Sequence, residues 1–237
     1  MENERFERSR SLLGEDAFKR LSSRHAVIFG VGGVGSWCAE ALVRTGLRRL
    51  TIIDDDTVAE SNINRQRQAT PSSVGRLKVE VLRDILHEIA PDATITAVVQ
   101  RYTPDSSVFF DQILTDCDFV VDAIDSVDCK AHLIRRCIEG INGKPVPVFS
   151  SMGAALRTDP TKIRVAPFNK VIGDGLAKAL RNRFRKSAVP IPKHICVYSE
   201  EPPCGGTDGT RGSIMPVTCS FGAALAALVI KSAADKI

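Results

Sequence analysis

Three groups of residues in this chain could together do chemistry on phosphates: a glycine cluster, two carboxylates and two cations. The glycines come first, as Gly30-x-Gly32-Gly33-x-Gly35, between an apolar run from Ala26 to Phe29 and a helix-like run that carries Ala39, Leu42 and Val43 on one side and stops at Gly46. A second apolar run, Leu50 to Ile53, ends on Asp54. Glycines let backbone N–H groups approach phosphate oxygens, and the start of the helix beside Ser36 turns its positive dipole end toward them. Asp54 can accept hydrogen bonds from ribose hydroxyls, at close to the spacing of a Rossmann dinucleotide site. The pattern predicts a bound nucleotide, and the simplest version is an NAD(P)-binding oxidoreductase.

The residues after Asp54 argue for a different ligand. Ser61-Asn62-Ile63-Asn64-Arg65-Gln66 places amides and an arginine directly beyond the ribose-binding carboxylate, and Gly75-Arg76-Leu77-Lys78 delivers a lysine to the next helix. A bridging pyrophosphate needs no pair of side-chain cations. A triphosphate under attack does, because charge builds on the transferring group and on the departing pyrophosphate. Asp125 ends the buried run Phe119-Val120-Val121-Asp122-Ala123-Ile124-Asp125 and is expected to hold Mg²⁺ between phosphates, the usual role of one carboxylate in such a site. Asp56 and Ser126, beside Asp54 and Asp125, are expected to line the same nucleotide.

The elements that must position these residues can be read from the hydrophobic pattern. Helices are expected from Phe6 to Leu21 with a break near Gly14, from Ser72 to Ile89, around Ser106 to Leu114 and from Val127 to Glu139. They alternate with strand runs at Ala26–Phe29, Leu50–Ile53, Ala93–Val99, Phe119–Asp125 and Pro145–Ser150. Such alternation predicts an α/β, Rossmann-like fold: a mostly parallel sheet with helices on both faces and ligands at the carboxyl ends of its strands. The alternation stops beyond Gly153. Residues 1–155 are therefore expected to form an N-terminal helix and nucleotide-binding core, and residues 156–237 a smaller C-terminal α+β extension with antiparallel strands, within one globular unit. In that extension, strands at Lys162–Ala166 and His194–Tyr198 flank a helix from Gly175 to Lys186, a glycine-rich loop spans Pro202–Ser213, and a closing helix runs from Ser220 to Lys231.

Composition excludes several classes. A net charge of +4 and 43% hydrophobic residues describe a chain able to bury a large core, with too mild a charge to announce a polyanion partner by itself. One stretch departs from that balance. Lys178, Arg181, Arg183, Arg185 and Lys186 share a helix, with no acidic residue from Lys178 through Lys193, which suits either an RNA backbone or a solvated face. The charged N-terminus is no secretory signal and no run is long enough to span a bilayer, so a cytoplasmic protein without stable membrane insertion is expected. The seven cysteines form no CxxC pair, so neither a disulfide framework nor a structural zinc site is expected. Cys219, in an apolar context, reads as a buried thiol, and Cys204, in the loop, as an exposed one.

Taken together, GVGGVG, IIDDD, SNINRQ, VGRLK and DAIDS resemble, in order and spacing, the ThiF/MoeB/ubiquitin-activating superfamily, over about residues 5 to 155. The resemblance implies adenylation of a carboxylate with ATP and Mg²⁺. It assigns the ATP phosphates to Gly32 and its neighbours, the ribose to Asp54, the phosphates and transition state to Asn62, Arg65 and Lys78, and Mg²⁺ to Asp125. RFERSR is similar to a family segment whose arginine reaches the partner subunit's ATP site, which gives Arg8 that role and implies a homodimer. RSRSLLGEDAF, DSVDCKAHLI, VYSEEPP and GSIMPVTCSFGAALA resemble, more narrowly and over nearly the whole chain, the tRNA threonylcarbamoyladenosine dehydratases. These use ATP to cyclise the threonylcarbamoyl group on the adenosine beside the tRNA anticodon. On that resemblance tRNA is the expected partner of the basic helix, and a cysteine desulfurase or sulfur acceptor a further one. The alternative is a MoeB/ThiF-like adenylyltransferase that activates a ubiquitin-like sulfur carrier.

Overall fold

Strand β1 (His25–Phe29) is buried along its whole length and divides its side chains between two cores, Ala26 and Ile28 to one and Val27 and Phe29 to the other. That is the behaviour of a central strand with helices on both faces. The computed structural model of the protein describes residues 2–187, 190–205 and 211–234. With β2 (Arg49–Ile53), β3 (Thr94–Val98), β4 (Phe119–Asp122), β5 (Val148–Ser151), β6 (Ile163–Pro167) and β7 (Ile195–Ser199), β1 forms a seven-stranded sheet in the order β3-β2-β1-β4-β5-β7-β6. Every neighbouring pair is parallel except β6 with β7. The order reverses between β1 and β4, and that switch point is where an open α/β sheet offers its crevice.

The helices are α1 (Glu2–Arg5), α2 (Glu7–Leu13), α3 (Glu15–Ser23), α4 (Gly35–Thr45), α5 (Lys78–Ile89), α6 (Ser107–Thr115), α7 (Val127–Glu139), α8 (Gly175–Lys186) and α9 (Met215–Ala233). On one face α3, α4, α5 and α9 bury Leu21, Leu42, Leu82, Phe221 and Leu225 against the sheet. On the other, Phe110 and Leu114 of α6 meet Leu133 and Cys137 of α7. Helix α9 is long and apolar enough to cross a bilayer, yet it packs on α4 so closely that a Cβ on Gly222 would lie 2.6 Å from the Val34 carbonyl oxygen. Its apolar side belongs to the core.

Residues after 155 share the sheet of those before it. Strand β7 pairs in parallel with β5, and the antiparallel pairing expected of the C-terminal region is that of β6 with β7. Several expected boundaries move, among them the start of the strand expected from Pro145, which begins at Val148. The helix expected from Ser72 begins at Lys78, because Pro71–Ser73 close a single 3₁₀ turn and Gly75 then takes φ +86°. The closing helix begins at Met215, with Pro216 in its first turn, where a missing N–H costs nothing. The strand expected to end on Asp125 ends on Asp122. Part of the expected glycine-rich loop, residues 206–210, lies outside the described residues.

A third core cluster joins α7 and α8 through Ile134, Phe168, Leu180, Phe184 and Cys196. His194 stacks on Phe168 at 5.1 Å, with its Nδ1 unpartnered. Burial, with the Lys130 charge behind it, pushes its pKa down to about 3. The unfolded chain therefore binds a proton below about pH 6.5 that the folded chain refuses, and stability falls as pH drops from there toward 3. We expect urea unfolding to lose up to roughly 1.4 kcal/mol per pH unit between pH 6 and 4 from this group. His194→Gln should flatten that slope; an unchanged slope would show that the histidine does not set it.

Candidate nucleotide site

The carboxyl ends of β1, β2, β4 and β5 surround a cavity of about 770 Å³. Gly30 leaves β1 with φ +86°, and a Cβ there would lie 2.8 Å from the Ala123 carbonyl oxygen. A Cβ on Gly35 would lie 1.9 Å from the Gly30 oxygen. Both glycines are therefore required by the turn and by the approach of α4 to the β1 end. Gly35 does not line the cavity, which corrects its expected role as a ligand contact. Gly32 is different. A Cβ there would meet nothing nearer than the Gln66 amide nitrogen at 3.9 Å, so the protein itself makes no demand for glycine, and a bare backbone faces the cavity. Gly33 lies beside it, packed on Arg65 and Thr218.

Asp54 is fixed from both sides. The Val31 N–H donates to Oδ2 at 2.8 Å and the Asp56 N–H to Oδ1 at 3.0 Å. Burial pushes its pKa up, against the pull of those two N–H groups and of Lys78. Each oxygen keeps a lone pair for a hydroxyl donor. The segment 61–66 is held by the Trp37 indole, which donates to the Arg65 carbonyl oxygen at 2.9 Å. The Asn62 Oδ1 accepts from the Ala59 N–H at 3.1 Å, which leaves the amide NH₂ to donate. Arg65 lines the cavity with its guanidinium braced on the Ser61 carbonyl and Asn64 Oδ1, both at 2.9 Å.

Lys78 opens α5 almost fully buried, its ammonium 2.6 Å from the Asp56 carboxylate, which is itself 62% exposed. Asp56 takes one of the three ammonium donors, leaving the others for the cavity. Asp56 thus orients Lys78 as well as lining the site. Gln68, which sequence reasoning passed over, donates to the Val31 carbonyl at 2.8 Å and props the glycine loop from below.

The carboxylate at the end of β4 is Asp122, fully buried and 2.8 Å from the equally buried Lys130 ammonium. Lys130 also donates to the Ile124 carbonyl at 2.9 Å, and the Ser150 hydroxyl donates to Asp122 at 2.8 Å. This knot ties β4 to α7 and holds the turn that presents Asp125 and Ser126 to the cavity. Asp125 is exposed, with no hydrogen-bond or ion-pair partner among the described residues. A single unpaired carboxylate facing the cavity fits the donor set of a phosphate-bound Mg²⁺. Asp54, Asp55 and Asp56 form the one other acidic group close enough for a cation among the described residues, but each Asp54 oxygen already accepts a backbone N–H and Asp56 is paired with Lys78.

The remaining expected site residues stand apart. Arg8 is exposed on α2, in a surface depression with Glu7, Ser11 and Leu12, and does not line the cavity of its own chain. Lys178, Arg185 and Lys186 are exposed on α8. Arg181 is not available to a nucleic acid. Its guanidinium donates to the Phe168 and Val171 carbonyls and lies 5.3 Å from the Phe168 ring, so it closes the 168–171 turn. Arg183 is exposed but paired with Asp128. Cys204 is exposed and Cys219 half-buried, and burial raises the Cys219 pKa, away from that of a reactive thiolate.

The model of the ThiF family matches residues 6–236. The tRNA threonylcarbamoyladenosine dehydratase of Bacillus subtilis (strain 168) is 36% identical over 199 residues, which are 84% of this chain and 75% of the relative. The crystal structure of the E. coli tRNA N6-threonylcarbamoyladenosine dehydratase in complex with ATP superimposes with a TM-score of 0.90 at 36% identity, covering 99% of this chain and 95% of that one. The molybdopterin-synthase adenylyltransferase of Salmonella typhimurium is similar over a shorter stretch, 33% identical over 62% of this chain and 54% of the relative.

Proposed function

This chain belongs to the ThiF family, and on that premise we propose that it is an ATP-dependent tRNA threonylcarbamoyladenosine dehydratase. The observation that carries the reading is the convergence of Gly32, Asp54, Arg65, Lys78 and Asp125 on one cavity at the switch point of the sheet. The fit of nearly the whole chain to an ATP-bound dehydratase supports it over the sulfur-carrier alternative.

In this reading the ribose of ATP hydrogen-bonds to Asp54, and the bare backbone at Gly32 and Gly33 lies along the phosphates. A carboxylate oxygen of the threonylcarbamoyl group attacks the α-phosphorus, and the bond to pyrophosphate breaks. Arg65 and two of the Lys78 donors meet the charge that grows on the phosphoryl and on the leaving group, with the Asn62 amide beside them. Mg²⁺ held by Asp125 would neutralise phosphate charge. The carbamoyl group, tethered next to the acyl carbon, then closes the ring and expels AMP, which carries away the former carboxylate oxygen; a proton is released and the nucleoside has lost one water. One cavity serves both steps because the second nucleophile arrives with the first.

Arg8 would act on a second copy, since it is exposed and remote from its own cavity, and Leu12 beside it, 82% exposed, supports an apolar homodimer contact there. Lys178, Arg185 and Lys186 are the α8 cations left for a tRNA backbone.

The test is incubation of the purified protein with ATP, Mg²⁺ and tRNA bearing threonylcarbamoyladenosine, followed by nucleoside mass spectrometry. ATP-dependent loss of one water from that nucleoside is expected. An unchanged nucleoside, together with ATP–pyrophosphate exchange that requires a Gly-Gly-ended carrier protein, would overturn the reading in favour of sulfur-carrier activation.

A further inference from the structure

The wall of the cavity opposite Asp54 contains a cation that none of the nucleotide chemistry uses. Arg157 is 3% exposed and lines the cavity beyond the end of β5. One of its nitrogens, Nη2, donates to the Gly173 carbonyl at 3.3 Å; Nε and Nη1 have no hydrogen-bond partner, and no carboxylate pairs with it among the described residues. A buried guanidinium with two idle donors is costly to keep, and such a group calls for a ligand, an ion or ordered water to complete it.

The backbone is arranged to hold it there. Leu156, immediately before it, adopts φ +60°, a conformation a branched aliphatic residue rarely takes. That strained residue is clamped at both ends, its N–H on the Gly212 carbonyl at 2.8 Å and its own carbonyl accepting from the Cys204 N–H at 2.9 Å. The start of the same loop is pinned by the Gly153 N–H on the buried Asp174 carboxylate at 3.0 Å. Strand order then sets its reach. β5 stands three strands from β2, so the end of β5 lies about 14 Å across the sheet from the end that carries Asp54. A ribose on Asp54 with its α-phosphate on the glycine loop leaves the β4–β5 side for whatever attacks that phosphate.

We propose that Arg157 is the anion-recognition residue of the acyl-substrate subsite, which binds the carboxylate of the substrate and presents it to the α-phosphate. This rests on the dehydratase reading and adds to it a named determinant of substrate charge. An uncharged analogue would leave the two idle donors unpaired, so the subsite selects the acid.

The test compares two synthetic anticodon stem-loops, one bearing threonylcarbamoyladenosine and one with its carboxyl group converted to a primary amide, each titrated into the enzyme loaded with α,β-methylene ATP. The unaltered enzyme is expected to bind the acid about 10- to 100-fold tighter than the amide. Arg157→Met should bind both alike, at the amide's affinity, with its affinity for α,β-methylene ATP unchanged and its melting temperature no lower than that of the parent. Arg157→Lys should restore part of the preference. If Arg157→Met folds and still prefers the acid to the full extent, the assignment is wrong while the dehydratase reading stands. Weakened α,β-methylene ATP binding would instead make Arg157 a nucleotide ligand and overturn it. If the unaltered enzyme binds neither stem-loop, the dehydratase reading itself fails and takes this inference with it. Should Arg157→Met not fold, Arg157→Gln, which keeps a donor toward Gly173, carries the same comparison.

Discussion

Lys78→Ala and Arg65→Ala should each slow ATP-dependent cyclisation by about 100- to 1000-fold, the loss typical of removing one preorganised donor from a developing anion. The structure makes these clean tests. Lys78 is buried, but its partner Asp56 is 62% exposed and is left to water, not stranded, when the ammonium goes. Among the described residues the Arg65 guanidinium is braced by the Ser61 carbonyl and the Asn64 side chain at the surface. Neither substitution opens the core, so urea midpoints should stay close to those of the parent while single-turnover rates collapse. Rates within about threefold of the parent for both variants would mean that the phosphates lie elsewhere in the cavity.

The largest effect on stability is expected at Lys130. Lys130→Met leaves the fully buried Asp122 carboxylate without its counter-charge, and breaking a buried pair from one side typically costs about 3–5 kcal/mol. Burial already pushes the Asp122 pKa up, and Lys130, Ser150 and the Ile124 N–H oppose it. The double variant Asp122→Asn with Lys130→Met should recover most of the loss, because no uncompensated charge remains. Chemical denaturation of the single and double variants settles it: a cost near 1 kcal/mol for the single change would show that the pair does not hold the β4–α7 connection. Activity adds a second readout, since this connection presents Asp125 and Ser126.

Much of the molecule was legible in the sequence because its signals are local. The β1 run, the glycine turn and Asp54 are contiguous enough to define a strand, a turn and a second strand, and α7 and α8 have the boundaries that their periodicity predicts. Errors arose where tertiary contacts override local pattern. Ser72 and Ser73 look like a helix start, but their hydroxyls and the left-handed Gly75 close a separate turn, and α5 waits for Lys78. Asp122 and Asp125 are both carboxylates in one apolar run. Only the buried Lys130, eight residues on, shows that the first ends the strand and is structural while the second faces the cavity. Arg181 belongs to a cationic helix by composition, yet the Phe168 and Val171 carbonyls claim it.

The sequence by itself pointed to a nucleotide, to a triphosphate under attack, and to candidate residues for its ribose and phosphates, because those residues follow one another in a fixed order along neighbouring strand ends. Only the tertiary structure decided how they are shared out. Gly35 packs a helix where Gly32 opens a backbone, and Asp56 steers Lys78. Arg157, in a stretch with no motif, is brought to the far wall of the same cavity by a strained residue clamped to two distant segments. Spacing along a chain encodes which residues come after one strand; it does not encode which residues from different strands face each other across 14 Å or so of sheet.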